Sequence, residues 1–230
     1  MRRYLIMCLM VISVLSHLPL MATNKAKPVV SILGDSYSTL YGYNPEGQAP
    51  FYSPTIWQNN TDVDDVKQTW WWQVINEGGF ILGVNDSWGG STISFSGYNG
   101  EDYSERSFIT RLPRLGSPDI LLIFGATNDN ATGGPLGDFN YGKLSRGHLY
   151  EFRPAMAKLL SEAQNRFPGT RIIFMVNDCL SEQIESSIIE VCKHYGVEYI
   201  KLEGIELRTG HPTIKGMITI KNQVLDFLKR

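Results

Sequence analysis

The chain has 230 residues, 43% of them hydrophobic and 19% charged, with a formal net charge of −2. These values fit one globular domain with a substantial core and exclude a disordered or membrane-embedded chain. A mildly acidic balance without a dense Lys/Arg run leaves no footprint for a nucleic-acid partner.

Arg2 and Arg3 precede an apolar run from Tyr4 to Met21, and polar Thr23-Asn24-Lys25 follows it. That layout predicts a signal peptide over 1–22, cleaved after Ala22 or Ala26, and a single domain over 27–230. The run is short for a membrane span and broken by Pro19, so no stable membrane insertion is expected once the leader is removed, and the protein is expected outside the cytoplasm, periplasmic or extracellular.

Beyond the leader, strand and helix signals alternate. Val29 to Leu33 is a β-rich run ending at Gly34; Trp70 to Asn76 reads as a helix stopped by Gly78-Gly79; Phe80 to Val84 is a second strand. Asp119 to Phe124 has the unbroken apolar character of a strand covered on both faces. A helix with Pro154 in its first turn repeats Met156, Leu159, Leu160, Ala163 and Phe167 at helical spacing. Arg171 to Val176, a helix over Ser181 to Tyr195, a strand over Val197 to Leu202 and a last helix capped by Thr213 complete the pattern. The alternation predicts an α/β fold, a three-layer α/β/α sandwich around a mainly parallel five-stranded sheet of flavodoxin-like type. Of Cys179 and Cys192, the second lies roughly 16 Å along a helix, whereas a disulfide needs Cα atoms within about 7 Å. Two buried free thiols are expected.

In such sheets ligands bind beyond the carboxyl ends of the strands. Polar and glycine residues gather at those ends: Gly34-Asp35-Ser36, Asp86 to Gly90, Thr127-Asn128-Asp129, Asn177-Asp178 and the loop Glu203 to His211. A serine leaving a strand after glycine can be presented on a tight turn, and its hydroxyl needs a base. His17 lies in the leader, His148 in a loop before a helix and His194 at a helix end; only His211 sits on a loop that can reach over Ser36. Gly90 can supply a backbone N–H and Asn128 a side-chain N–H to a developing oxyanion.

Together these blocks resemble the SGNH/GDSL hydrolase family. Gly34-Asp35-Ser36-Tyr37-Ser38 is similar to its first motif, Asn85 to Thr92 to its second, Gly125-Ala126-Thr127-Asn128-Asp129 to its third, and His211-Pro212 with Gly216-Met217 to its last. The resemblance runs from about Val29 to the end of the chain. It implies Ser36 as nucleophile and His211 as base, an oxyanion hole of Ser36, Gly90 and Asn128, and a serine esterase or lipase-like activity. Two departures stand out: Ala126 replaces a usual glycine, and Arg208 occupies the place, three residues before the histidine, where the family carries an acid. Glu206 is the expected substitute third member, with Glu203 also nearby; a Ser–His dyad held by a backbone carbonyl is the alternative.

The expected reaction is ester hydrolysis through an acyl-enzyme, with no cofactor and no metal. The long connections Tyr37 to Thr69 and Asn130 to Gly147 should rim the site. Their aromatic and Asn-rich character favours an acylated carbohydrate substrate, deacetylated or deacylated, over a small lipid ester; Trp88 and Asp129 are the expected substrate contacts. A lysophospholipase, lipase or thioesterase, and a catalytically impaired glycan-binding domain, are the competing readings.

Overall fold

The computed structural model describes residues 26–56 and 60–230. The expected leader and Trp57 lie outside these residues. Strands β1 (Val29–Gly34), β2 (Ile81–Ser87), β3 (Ile120–Phe124), β4 (Arg171–Val176) and β5 (Glu198–Lys201) pair in the order β2-β1-β3-β4-β5, all parallel. The order reverses between β1 and β3, so the carboxyl ends of these two strands flank the switch-point crevice where such sheets place ligands.

Alternation along the strands explains the three layers. Leu33, Leu121, Ile123, Ile172 and Phe174 face one side, where they pack with α2 (Phe108–Arg111), α4 (Phe152–Arg166) and α5 (Glu182–Tyr195). Ile32, Leu122, Phe124, Ile173 and Met175 face the other, against α1 (Trp70–Gly78) and α6 (Ile214–Leu228). The short α3 (Thr127–Thr132) leaves the end of β3. Trp70 and Trp71 are buried core residues of the second layer. The α/β/α sandwich read from the sequence is the observed architecture, and no described helix is long and apolar enough to cross a membrane.

Three local differences have physical reasons. Strand β2 continues past Val84 because its polar end is fully served inside the protein. Asn85 Nδ2 donates to the Ser38 carbonyl, Ser87 Oγ donates to Asn85 Oδ1, and Asp86 Oδ1 accepts from Gln48 Nε2. Cys192 is buried and free as expected, but Cys179 is exposed, since it follows β4 into the solvent-facing loop before α5. Finally, the loop carrying His211 is a small antiparallel hairpin, β6 (Leu207–Arg208) and β7 (His211–Pro212), with Arg208 paired to His211. Its two turn residues, Thr209 and Gly210, both have positive φ, +49° and +76°. That is the geometry of a two-residue turn whose twist suits a tight hairpin.

Candidate active site

Ser36 opens a 3-10 turn directly beyond β1, with Asp35 capping the turn by accepting from the Tyr37 N–H. The serine is 7% exposed, so its hydroxyl opens onto the crevice from a fixed backbone. His211 Nε2 lies 2.9 Å from Ser36 Oγ, and His211 Nδ1 lies 3.2 Å from the Thr209 carbonyl oxygen. A carbonyl can only accept, so Nδ1 carries the proton and Nε2 is the acceptor that faces the serine hydroxyl.

The histidine is held from several sides. The Phe51 ring stacks on the imidazole with centroids 3.3 Å apart and planes 6° apart. Tyr37 donates its hydroxyl to the Gly210 carbonyl at 2.7 Å, and Tyr52 donates to the Pro212 carbonyl at 2.9 Å. Both carbonyls flank His211, so two buried phenols from the first loop clamp the hairpin. Burial dominates the imidazole's protonation and pushes its pKa down to about 4, a drop that the Thr209 hydrogen bond partly offsets. The ring is therefore neutral at neutral pH.

Glu206, the expected third member, is not bonded to the imidazole. Its carboxylate accepts from Thr213 Oγ1 at 2.8 Å and from Lys215 Nζ at 2.9 Å, as an exposed ion pair ahead of α6. The hairpin explains the displacement: its turn brings the Thr209 carbonyl, two residues before His211, under Nδ1. Arg208 is exposed beside its strand partner.

Three N–H groups belong to residues that line the same cleft as the hydroxyl. Among the described residues, neither the Ser36 nor the Gly90 N–H has a protein acceptor, although the neighbouring Gly89 and Ser91 N–H groups are both paired. Gly90 has φ +75°, a conformation in which a side-chain-bearing residue would be strained. Asn128, at the start of α3, donates one amide hydrogen to the Ser91 carbonyl at 2.9 Å and accepts from Tyr98 Oη at 2.8 Å on its other end. Those two bonds fix which end of the amide is nitrogen and leave its second hydrogen free. Ser36, Gly90, Asn128 and His211 line one open cleft of about 430 Å³, together with Phe51 and Tyr98.

The other expected contacts are not in that cleft. Asp129 is buried with its two carboxylate oxygens on the N–H groups of Ile93 and Ser94, at 2.8 and 2.9 Å; it anchors the loop after Gly90 and has no substrate-facing surface. Burial raises its pKa to about 6 against the pull of those bonds. Trp88 lines an adjoining cleft instead. The first long connection does rim the site, through Ala49, Pro50, Phe51 and Ile56, whereas no residue of the stretch Asn130 to Gly147 lines it. Tyr141 of that stretch stacks on His194 at 3.5 Å, on α5.

Two residues that matter here left little trace in the sequence. Tyr98 sits on a loop with no motif around it. Arg111 ends α2 wholly buried beneath the site. It donates through Nη2 to the Gly34 carbonyl at 3.1 Å and to Ser91 Oγ at 2.9 Å, through Nε to the Arg106 carbonyl at 2.8 Å, and through Nη1 to the Asp86 carbonyl and carboxylate. One guanidinium thus joins the ends of β1 and β2 to the segment after Gly90. Burial lowers its pKa to about 10, still far above neutrality, so it remains a cation. Asp35, the residue immediately before Ser36 in the chain, has its pKa raised to about 7 by burial, and its Oδ2 has no hydrogen-bond partner. Among the described residues no group of three His, Cys, Asp or Glu side chains is placed to hold a metal ion.

Comparison with known proteins adds the following. The family profile described as GDSL-like Lipase/Acylhydrolase matches residues 28–228. A solved protein from Bacteroides ovatus ATCC 8483, described as a GDSL-like lipase, is 46% identical, with 89% of this chain and 99% of that one covered and a TM-score of 0.86. A second, from Bacteroides uniformis ATCC 8492 and described in the same words, is 43% identical, with coverage of 89% and 97% and a TM-score of 0.87. At 16% identity the fold is shared with an acetyl xylan esterase from Butyrivibrio proteoclasticus, with 88% of this chain and 63% of that one covered and a TM-score of 0.58. No curated protein matches the chain.

Proposed function

Since this chain belongs to the GDSL-like lipase/acylhydrolase family, we propose that it hydrolyses esters through an acyl-enzyme on Ser36, with His211 as the general base of a Ser–His dyad. The observation that carries this reading is the pair of contacts on one imidazole. Nε2 is 2.9 Å from the serine hydroxyl while Nδ1 is held by the Thr209 carbonyl, as a neutral base requires. In the first step Nε2 takes the hydroxyl proton as Oγ attacks the ester carbonyl. The unpaired Ser36 and Gly90 N–H groups and the free hydrogen of Asn128 Nδ2 receive the negative charge that develops on the carbonyl oxygen. The imidazolium then protonates the leaving alcohol, and a water activated by the same nitrogen releases the acid and frees the serine.

The dyad lacks a carboxylate to stabilise the imidazolium, and the carbonyl dipole of Thr209 supplies part of that stabilisation. The acyl group we propose is short, an acetyl group, seated against Ala49, Pro50 and Ile56 in the open cleft around Ser36. We propose an O-acylated carbohydrate as the substrate. The aromatic rim of Phe51 and Tyr98 and the fold shared with an acetyl xylan esterase support this choice. Export from the cytoplasm follows from the Arg2-Arg3 and apolar leader pattern. A labelling experiment tests the core of the reading: a fluorophosphonate should modify the protein once, at Ser36, and Ser36→Ala should abolish both labelling and turnover of 4-nitrophenyl acetate. A label on any other residue would remove Ser36 from the role.

A further inference from the structure

A second cleft adjoins the first. Trp88 lines it, whereas Gly89 and Gly90, the next two residues, line the Ser36 cleft. The loop opposite makes the same connection. Tyr98 faces the ester site and bonds Asn128, while Tyr103, five residues on, lines the second cleft with its ring centroid 6.3 Å from that of Tyr98. The loop is fixed between them by the Ser96–Asp102 bridge and by the Gly97 N–H donating to the Glu101 carbonyl. A substrate larger than one sugar ring that extends from Ser36 along this loop meets the second surface.

Its chemistry is specific. The guanidinium of Arg106 lies 3.9 Å from the Tyr103 ring centroid and 6.0 Å from that of Trp88. Stacking fixes the plane of the group and leaves its edge N–H groups available. Arg106 is half-buried, and its side chain makes no hydrogen bond or ion pair among the described residues. Its backbone is held from below, since its carbonyl accepts from the buried Arg111. The cleft's other cation is already matched: Arg146 reaches Asp102 at 3.4 Å and Ser104 Oγ at 3.1 Å. Glu105 also lines the cleft but lies outside ion-pair distance of Arg106. What remains is an indole beside a pre-oriented guanidinium without a partner, with the Glu105 carboxylate elsewhere on the cleft wall. An indole face accepts the CH face of a sugar, and a planar guanidinium fork accepts a carboxylate through two parallel hydrogen bonds.

Building on the hydrolase reading above, we infer that this cleft is a subsite for an anionic sugar residue, a uronate, next to the ester-bearing residue, with Trp88 as its platform and Arg106 as its carboxylate receptor. Substrate preference would then be set outside the catalytic group itself, by a residue that touches only the neighbouring sugar.

Binding to the full-length Ser36→Ala protein tests this without relying on turnover. Calorimetry should show the trisaccharide of α-1,4-linked galacturonate binding about tenfold or more tightly than its neutral galactose counterpart, with the preference weakening as salt rises. Adding Arg106→Gln should erase that preference, and Arg106→Lys should restore only part of it, because an ammonium lacks the planar fork. Equal affinity for the two sugars, binding of neither, or a preference that survives Arg106→Gln would overturn the inference. In the otherwise unchanged enzyme, Arg106→Gln should leave 4-nitrophenyl acetate turnover within about twofold, because Arg106 does not line the ester cleft; a loss of tenfold or more would place it in the ester machinery and overturn the subsite assignment. If the parent hydrolyses no ester, the hydrolase reading fails while the binding comparison still decides the subsite.

Discussion

Replacing Arg111 by Met removes the cation that ties together three of the segments forming the site, and its cost can be worked from the contacts. The side chain is fully buried and serves the Gly34 and Arg106 carbonyls, Ser91 Oγ, and both the carbonyl and the carboxylate of Asp86. Methionine fills much of the volume but satisfies none of these acceptors, and it leaves Asp86 as a buried carboxylate whose remaining donor is Gln48 Nε2. Breaking a buried ion pair from one side costs about 3–5 kcal/mol. For a domain of this size each kcal/mol lowers Tm by about 2–4 °C, so the expected fall is roughly 6–20 °C. Asp35 loses a favourable cation as well, and its carboxyl should shift further toward the protonated form. The same substitution should lower kcat more than it raises KM, because Ser91 follows the proposed oxyanion donor Gly90, Gly34 precedes the turn of the proposed nucleophile Ser36, and neither lines the cleft. Scanning calorimetry and steady-state kinetics on 4-nitrophenyl acetate measure both effects. The double variant Arg111→Met/Asp86→Asn should recover part of the lost stability, since the stranded charge is gone. A Tm within about 2 °C of the parent, or no recovery in the double variant, would refute the reasoning.

Three further outcomes follow from the site. Burial holds the folded His211 pKa at about 4, below the usual 6.5, so the ring should stay neutral, and able to act as a base, well below pH 6. In Ser36→Ala its Cε1 proton should titrate near pH 4 by NMR, and a midpoint at 6 or above would contradict the desolvated environment. The linked stability effect has a definite sign: the unfolded chain protonates its histidine first, so this contribution is present above pH 6.5 and is lost as pH falls through the window down to about 4. Asn128→Ala should cut kcat by about 10²–10³ with a small change in KM, the loss typical of one oxyanion donor; a decrease under tenfold would remove Asn128 from the hole. Glu206→Gln should leave kcat within about threefold and Tm close to that of the parent, because its ion pair with Lys215 is solvent-exposed. A hundredfold loss on that substitution would return Glu206 to the catalytic group.

How much of this was legible in the sequence depends on the kind of residue. The fold was readable because β3 and the apolar stretch of β4 are unbroken runs and the last helix carries its own cap, with Thr213 accepting from the Gly216 N–H as its position suggested. Ser36, Gly90, Asn128 and His211 stood out in the sequence because each lies in a run of small and polar residues near the carboxyl end of a strand or in the last loop, and the structure brings all four to one cleft. Asp129 misled because an acid next to Asn128 at a strand end looks the same whether it faces a ligand or caps two backbone N–H groups. Arg111 and Tyr98 carry no local signature: apart from the Arg106 carbonyl, the guanidinium's partners lie between 20 and 77 residues away and the phenol's lies 30 away, so only the folded chain reveals them.

The histidine loop shows why the missing acid was hard to replace by inspection. Counting along the chain makes Glu206 the nearest carboxylate, but distance along a hairpin is not distance across it. Once Thr209 and Gly210 both adopt positive φ, Arg208 and His211 become opposite partners of a two-strand ladder, and the Thr209 carbonyl comes beneath Nδ1. Glu206 then falls before the hairpin, where Lys215 and Thr213 of the next element claim it. Tyr37 and Tyr52 hold the carbonyls on either side of the imidazole, and Phe51 covers its face. Orientation of the ring, a task a carboxylate performs in a triad, is here divided among one peptide carbonyl, two phenols and a phenyl ring. Burial lowers the imidazole's pKa and the Thr209 carbonyl raises it only in part, so the ring that these uncharged groups hold stays neutral at neutral pH.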